Sequence, residues 1–427
     1  MKRLFHGFSK EEKSSWMLFI AAWIIYAVVS MTKSAYAASM ASIIEEGLFT
    51  KANSGIINAS FYLFYGIAQL IGIKIVDKVS PIKLIYITLA GTLISTVGMA
   101  VSENFGMMLG FWSFCGLIQF AVWPAVLRLI SEFLQPHHRN KAMIYIAFSY
   151  CAGMLVNYFI AAIVLGVSTW HMMFWVTSVI LVLSIILWWR VTKKTKAVYT
   201  EQAEINRAMT ARYTEQKKQN EEPVEQVGYF KLLIKSGVII LLLSALVRSA
   251  MDAGLKLWVP TMITENYSVS PSFASMLTTI LVFINLGGVF IASWIYPKRT
   301  KNPVWAYGLC FLVALPFTVL LLLTGKIPVF LVVLLLAAVT TMMYAGHQLI
   351  NVIIPSDFVQ FGRAGSIAST LNAVASFGIV AANMGFGIIA ENFGWTTTIV
   401  LWIVLATAAF VFCGIATPIW RKFTHKE

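Results

Sequence analysis

Apolar runs of membrane-crossing length recur twelve times along the chain, and one charged stretch, Thr192 to Gly228, separates the first six from the last six. The runs read Trp16–Ala37, Ile56–Ile75, Leu84–Val101, Met107–Leu134, Ala142–Gly166 and Met172–Trp189, then Leu232–Trp258, Phe273–Tyr296, Val304–Leu323, Ile327–Val352, Gly365–Ala390 and Thr397–Trp420. A hydrocarbon core about 30 Å thick takes roughly 20 helical residues and tolerates no unpaired backbone, so each run is predicted to be a helix. The expected fold is an all-α membrane protein, twelve transmembrane helices in two pseudo-symmetric six-helix bundles over residues 1–191 and 231–427. Residues 192–230 form the connector, whose mixed charges from Lys193 to Glu222 predict a solvated helix that tethers the bundles.

The halves share landmarks. Arg139-Asn-Lys-Ala-Met-Ile opens the fifth run and Arg363-Ala-Gly-Ser-Ile-Ala the eleventh; Trp170 and Trp395 follow at nearly equal distances, each opening the next run. Together with the common register of all six runs, this marks an internal duplication. Parallel repeats joined by a charged connector are the plan of transporters whose halves rock about a site near the midplane.

Composition removes other classes. With 59% hydrophobic and 12% charged residues and a mean hydropathy of +0.78, the chain has too little polar surface for a soluble globule of 427 residues. Its net charge of +14 would suggest nucleic acid in a soluble protein, but here most basic residues fall in alternate loops and the tails, while Lys51 and Lys326 occupy the opposite set. The positive-inside rule then predicts a multi-pass protein of the cell (inner) membrane with both termini cytoplasmic. Basic loops such as Arg139 with Lys141, and Lys298 to Lys301, are expected against anionic lipid rather than nucleic acid. The first run is too long, and too poor in a small-residue cleavage site, for a removed signal peptide, so the N-terminus is expected to be retained. Cys115, Cys151, Cys310 and Cys413 all lie in apolar runs without C-x-x-C spacing, which argues against disulfides and metal ligation. Hydrolase, zinc-protease and nucleotide-binding motifs are missing, so neither an enzyme nor a cofactor is expected, and the chain is expected to act as a monomer.

Charges inside the membrane cost several kcal/mol unless they face a watery cavity, so they carry the candidate chemistry. They are Lys33, Arg128, Arg248, Asp252 and Lys256. Tyr26, Lys33 and Tyr36 make one partly polar face of the first helix. Arg248, Asp252 and Lys256, four residues apart, share one face of the seventh; Asp252 can neutralise either neighbour. The pooled charge of these groups with Lys33 is positive, which favours an anion between the first and seventh helices. His347, Gln348 and Asn351 interrupt the tenth run, with Tyr344 one turn before Gln348; His347 joins the candidates because its ordinary pKa lies nearest neutrality.

Three stretches resemble the major facilitator superfamily and, within it, the organophosphate:phosphate antiporters. They are the loop Gly72-Ile-Lys-Ile-Val-Asp77-Lys78 through Lys83; the fourth run's Gly116-Leu-Ile-Gln119-Phe-Ala-Val-Trp123-Pro124 with Arg128 beyond; and Lys33-Ser-Ala-Tyr36 leading to Glu46-Gly47. The resemblance implies the major facilitator fold and alternating access. It places Lys33 where the antiporters carry a phosphate-binding arginine, and matches Tyr26 and Tyr65 to pocket tyrosines. A pocket lysine appears here as Gln69 and a pocket histidine as Tyr150, while the second phosphate-binding arginine aligns with Asp252, one turn from Arg248. It also implies a cytoplasmic gate at Asp77 and Lys78, with Arg128 packed near it and Arg139 counted with them. Arginine offers phosphate a planar fork and lysine only a point charge, so these departures favour a carboxylate or sugar acid over a phosphomonoester.

The expected function is secondary transport of a small organic anion (carboxylate, sugar acid or organophosphate), by anion exchange, phosphate being one exchange partner, or by proton symport through Asp252. Two rivals stand beside it. One is a transporter-like receptor that binds a metabolite without net flux; the other is an exporter of lipophilic or cationic compounds built on Asp252.

Overall fold

The computed structural model describes residues 10–134, 136–220, 228–285, 287–296, 298–358 and 363–424, and they are almost wholly helical. Ten helical segments are long and apolar enough to cross a membrane. The last of them, Thr370–Thr424, holds two crossings, because the 61-residue helix α15 (Ala364–Thr424) breaks at Gly394, whose φ of 78° suits a residue without a Cβ. Phe386 and Trp402, either side of that break, meet ring to ring at 5.8 Å, so the chain doubles back. Helix α2 (Lys51–Lys78), with charged residues only at its ends, completes the twelve crossings read from the sequence.

The first half comprises α1 (Lys10–Glu45), α2, α3 (Pro81–Ala100), α4 (Phe105–Gln119), α5 (Val122–Phe133), α6 (Pro136–Val167) and α7 (Trp170–Asn220). The second comprises α8 (Tyr229–Lys235), α9 (Val238–Tyr267), α10 (Pro271–Asn285), α11 (Gly287–Ile295), α12 (Pro303–Leu320), α13 (Val329–Gln348), α14 (Ile354–Ser356) and α15. A π-helical turn, Leu349–Ile353, lies between α13 and α14. Two expectations change. The seventh crossing is not Leu232–Trp258: the chain turns at Gly237 (φ 75°), leaving α8 as a separate short helix, and α9 continues to Tyr267. Nor does a new helix begin at the connector, since α7 runs unbroken from Trp170 to Asn220. Asn206 of that extension donates to the carbonyls of Glu132 (2.7 Å) and Leu134 (3.1 Å), and the Tyr199 ring packs tilted against Phe133 at 5.1 Å. The connector's first part is thus docked on the end of α5, not only a solvated tether.

Within each half the helices pack mainly on one another: α1 on α6 and α7, α2 on α4, α9 on α15, and α12 on α13 and α15. Between halves, α2 meets α15, α6 meets α10 and α1 meets α9. Two faces result, a terminal face bearing Lys10 and Thr424 and a far face bearing Lys51, Glu265 and Gly394. At the far face one apolar cluster runs through both halves, joining Tyr36, Met40, Ile57, Phe61, Trp112 and Trp170 to the core of the second half. At the terminal face the first half keeps its own cluster, around Leu18, Ile25, Ile85, Leu129 and Trp188. The halves are therefore fused at the far face and separate at the terminal face.

Helix contact in a membrane relies on small residues, because lipid offers no hydrophobic drive toward association. A Cβ on Gly116 would stand 2.1 Å from the carbonyl oxygen of Phe61, and one on Gly378 would stand 2.2 Å from that of Leu246. Backbone cannot yield as a side chain can. Gly116→Val is expected to cost about 1–3 kcal/mol through overpacking, read as a lower melting temperature of the purified protein; unchanged melting would show that α2 and α4 are free to part.

Candidate functional site

The 30-residue helix α9 carries Arg248, Asp252 and Lys256 about its middle, and sets Asp252 and Lys256 nearer the centre of the crossing than 232–258 would have done. Sequence spacing left Asp252 two partners; the structure selects one. Lys256 Nζ lies 2.6 Å from Asp252 Oδ1 as an ion pair. Arg248 is left over: it is 4% exposed, its Nε has no acceptor, and among the described residues no carboxylate lies within ion-pair distance. It lies beside Gly346 of α13.

Lys33 is the second unpaired cation. Its ammonium sits 4.0 Å from the centroid of Tyr65 and 6.0 Å from that of Phe61, both on α2, and no carboxylate of the described residues pairs with it. A cation on an aromatic face is attracted by the ring quadrupole, more strongly where water is excluded. The hydroxyls of Ser30 and Ser34 donate back to carbonyls of their own helix.

Aromatic side chains surround these charges. Tyr26 packs on Trp123 at 4.9 Å, a contact that gives the Trp-Pro stretch of the fourth crossing its place at the site. Tyr62 and Tyr150 lie within electrostatic range of Asp252, and Tyr344 lies near both Tyr26 and Asp252. The Tyr344 ring is 5.8 Å from Lys256 Nζ, and its hydroxyl is 3.6 Å from Cys151 Sγ across the seam between the halves. His347 stacks on Tyr344, and its Nδ1 is 2.8 Å from Asn351 Nδ2 in the π-helical turn. Tyr62 and Tyr344 were missed by the sequence reading as site residues, although Tyr62 stands one turn from Tyr65, and Tyr344 one turn from His347. Cys151 carried no such signal.

The other candidates are placed as follows. Gln69 is half-buried one turn beyond Tyr65, without a side-chain hydrogen bond among the described residues. Tyr36 does not join these charges: it is fully buried and packs on Trp112 at 5.6 Å, in the apolar cluster at the far face. At the terminal face Arg128 donates to Glu132 Oε1 (2.8 Å) and to the carbonyls of Val79 (2.9 Å) and Val76. It thus satisfies the open carbonyl end of α2, where a cation also complements the helix dipole. Lys78 is exposed beside it, and the side chains of Asp77 and Arg139 lie outside the described residues. All four cysteines are free and buried.

The polar side chains of this twelve-crossing helical body gather at a seam between its halves. The chain belongs to the Major Facilitator Superfamily, whose model matches residues 18–382. It is 21% identical over 289 residues to a D-galactonate transporter of Escherichia coli, an alignment covering 65% of each chain. It is 26% identical over 133 residues to a probable hexose phosphate transport protein of Chlamydia trachomatis, covering 31% of this chain and 29% of that one. The chain thus spans just under two thirds of the first relative and less than a third of the second. Among solved structures, a bacterial homologue of the human lysosomal transporter Spinster, inward-facing and unoccupied, superposes with a TM-score of 0.76 at 15% identity, over 97% of this chain and 99% of that one. The Escherichia coli xylose transporter XylE, partially occluded and inward open, gives 0.68 at 14% identity, over 93% and 98%.

Proposed function

We propose that the protein carries a small organic anion across the cell membrane by alternating access, with Lys33 and Arg248 as its attracting charges and both termini cytoplasmic. One observation carries this reading. Two cations from opposite halves, on α1 and α9, sit within the membrane with no carboxylate partner among the described residues, a costly arrangement unless a ligand supplies the negative charge. The relatives named for D-galactonate and hexose phosphate are consistent with a sugar acid or organophosphate. Separation of the halves at the terminal face and fusion at the far face fit a carrier open toward the terminal side. Exchange is favoured over proton symport, because the Asp252 carboxylate is already engaged by Lys256 within the same helix. The same ion pair weakens the cation-exporter reading.

Flux into proteoliposomes tests this. Uptake of labelled sugar acid is expected to need a trans anion, to be competed by sugar acids or phosphate esters, and to ignore lipophilic cations. Uptake that follows an imposed proton gradient with no trans anion would assign symport instead. Saturable binding with no flux would make the protein a receptor, and competition by lipophilic cations would end the anion reading.

A further inference from the structure

The turn at Gly237 leaves α8 as an element that the hydropathy pattern had absorbed into a crossing. Its seven residues divide into three sectors at 100° per residue. Leu232 and Leu233 are 1% and 3% exposed and pack into the second half; Phe230 and Ile234, one turn apart, are 75% and 60% exposed; Lys231 and Lys235, also one turn apart, are exposed on the remaining side. Neither lysine has an acidic partner among the described residues. A helix that shows water one apolar and one basic stripe would be poorly solvated, whereas at a bilayer surface each stripe has its own layer.

Position supports this. α8 directly precedes the transmembrane helix α9, at the terminal face, and its turn packs beside Ile419 near the end of α15, where Arg421 and Lys422 are also exposed. Tyr229, the first residue of α8, shares a 2.5 Å hydrogen bond with Thr370 on the 364–393 arm of α15, which in turn packs on α9 and α2. The same face repeats the pairing of base and aromatic elsewhere, with Lys193 5.2 Å from the Trp189 ring and Arg299 4.7 Å from that of Trp294.

We infer that α8 is an interfacial helix that binds anionic phospholipid, with Phe230 and Ile234 in the acyl boundary and Lys231 and Lys235 on headgroup phosphates. Through Tyr229 and Thr370, lipid bound there steadies α15. This rests on the membrane-spanning fold and not on the identity of the cargo, so its test needs no transport.

The full-length protein is placed in nanodiscs of phosphatidylcholine, or of equimolar phosphatidylcholine and phosphatidylglycerol, and melted. Lipid co-purifying after detergent extraction is counted in parallel. The wild type is expected to melt higher with phosphatidylglycerol and to retain it in preference to phosphatidylcholine. Each surface lysine contributes roughly fivefold to such a preference, so Lys231→Gln with Lys235→Gln is expected to remove most of both effects while leaving the melt in pure phosphatidylcholine unchanged. An equal response to phosphatidylglycerol in wild type and double variant, or a wild type indifferent to the two lipids, would overturn the assignment.

Discussion

Arg248→Met and Lys33→Met are each expected to abolish anion uptake while leaving the protein as stable as the wild type, or more so. The sign of the stability change is the informative part. A cation paired within the fold, when removed, strands its partner at about 3–5 kcal/mol. Among the described residues neither Lys33 nor Arg248 has a carboxylate to strand, and Arg248 in particular is buried with an idle Nε. Methionine of similar length should relieve an unfavourable burial. Transport should suffer the opposite fate, because removing a desolvated charge that contacts an anionic ligand forfeits about 2–5 kcal/mol, roughly 30-fold to several thousandfold in affinity. Melting curves and initial uptake rates, taken on the same preparation, check both halves of the statement. Full uptake in Lys33→Met would remove Lys33 from the site. Loss of uptake with a large drop in melting temperature would make the residue a structural one.

The second large effect is expected at the far face, where charged groups clasp the halves together. Lys51 Nζ of α2 is 2.9 Å from Glu265 Oε2 of α9, and the indole of Trp395 donates to that same oxygen at 2.7 Å. Lys51 also lies 5.7 Å from the Trp395 ring. Beside them, Glu391 of α15 accepts the amide of Ala52 at 2.7 Å, so a carboxylate from one half caps the open start of a helix in the other. Under alternating access every one of these contacts must separate when the far face opens. Glu265→Gln combined with Glu391→Gln is expected to shift the population toward that open state. The reporter is Asn53→Cys, in the wall of the far-face cleft that Lys51, Glu265 and Glu391 also line, in a background lacking the four buried native cysteines. Its labelling by a membrane-impermeant thiol reagent should speed up about tenfold, the equivalent of about 1.4 kcal/mol between the two states. An unchanged labelling rate would mean that the apolar cluster shared at this face, and not the clasp, holds the halves closed.

Hydropathy is a local and nearly additive property, and whatever depended on it was legible in the chain. Twelve crossings, the reversal between Ala390 and Thr397, and the concentration of polar chemistry on Lys33 and on the turn-spaced triad of α9 all came from residue type and spacing. Contacts that depend on which rotamer meets which neighbour were not legible. Asp252 stands four residues from both Arg248 and Lys256, so the sequence is symmetric about it, and only the folded helix pairs it with Lys256 and frees Arg248. Tyr36 shares a helix with Lys33, yet it packs on Trp112 of α4 in the apolar cluster at the far face.

The sequence by itself thus determined that this protein crosses a membrane twelve times and carries a surplus of positive side chains within those crossings, because burying apolar side chains in lipid dominates the energy of every segment separately. The tertiary structure alone decided which charges stay unpaired, which tyrosines face them, that α8 peels away at Gly237, and which face of the molecule is clasped shut, because each of these is a choice among partners brought together only by packing.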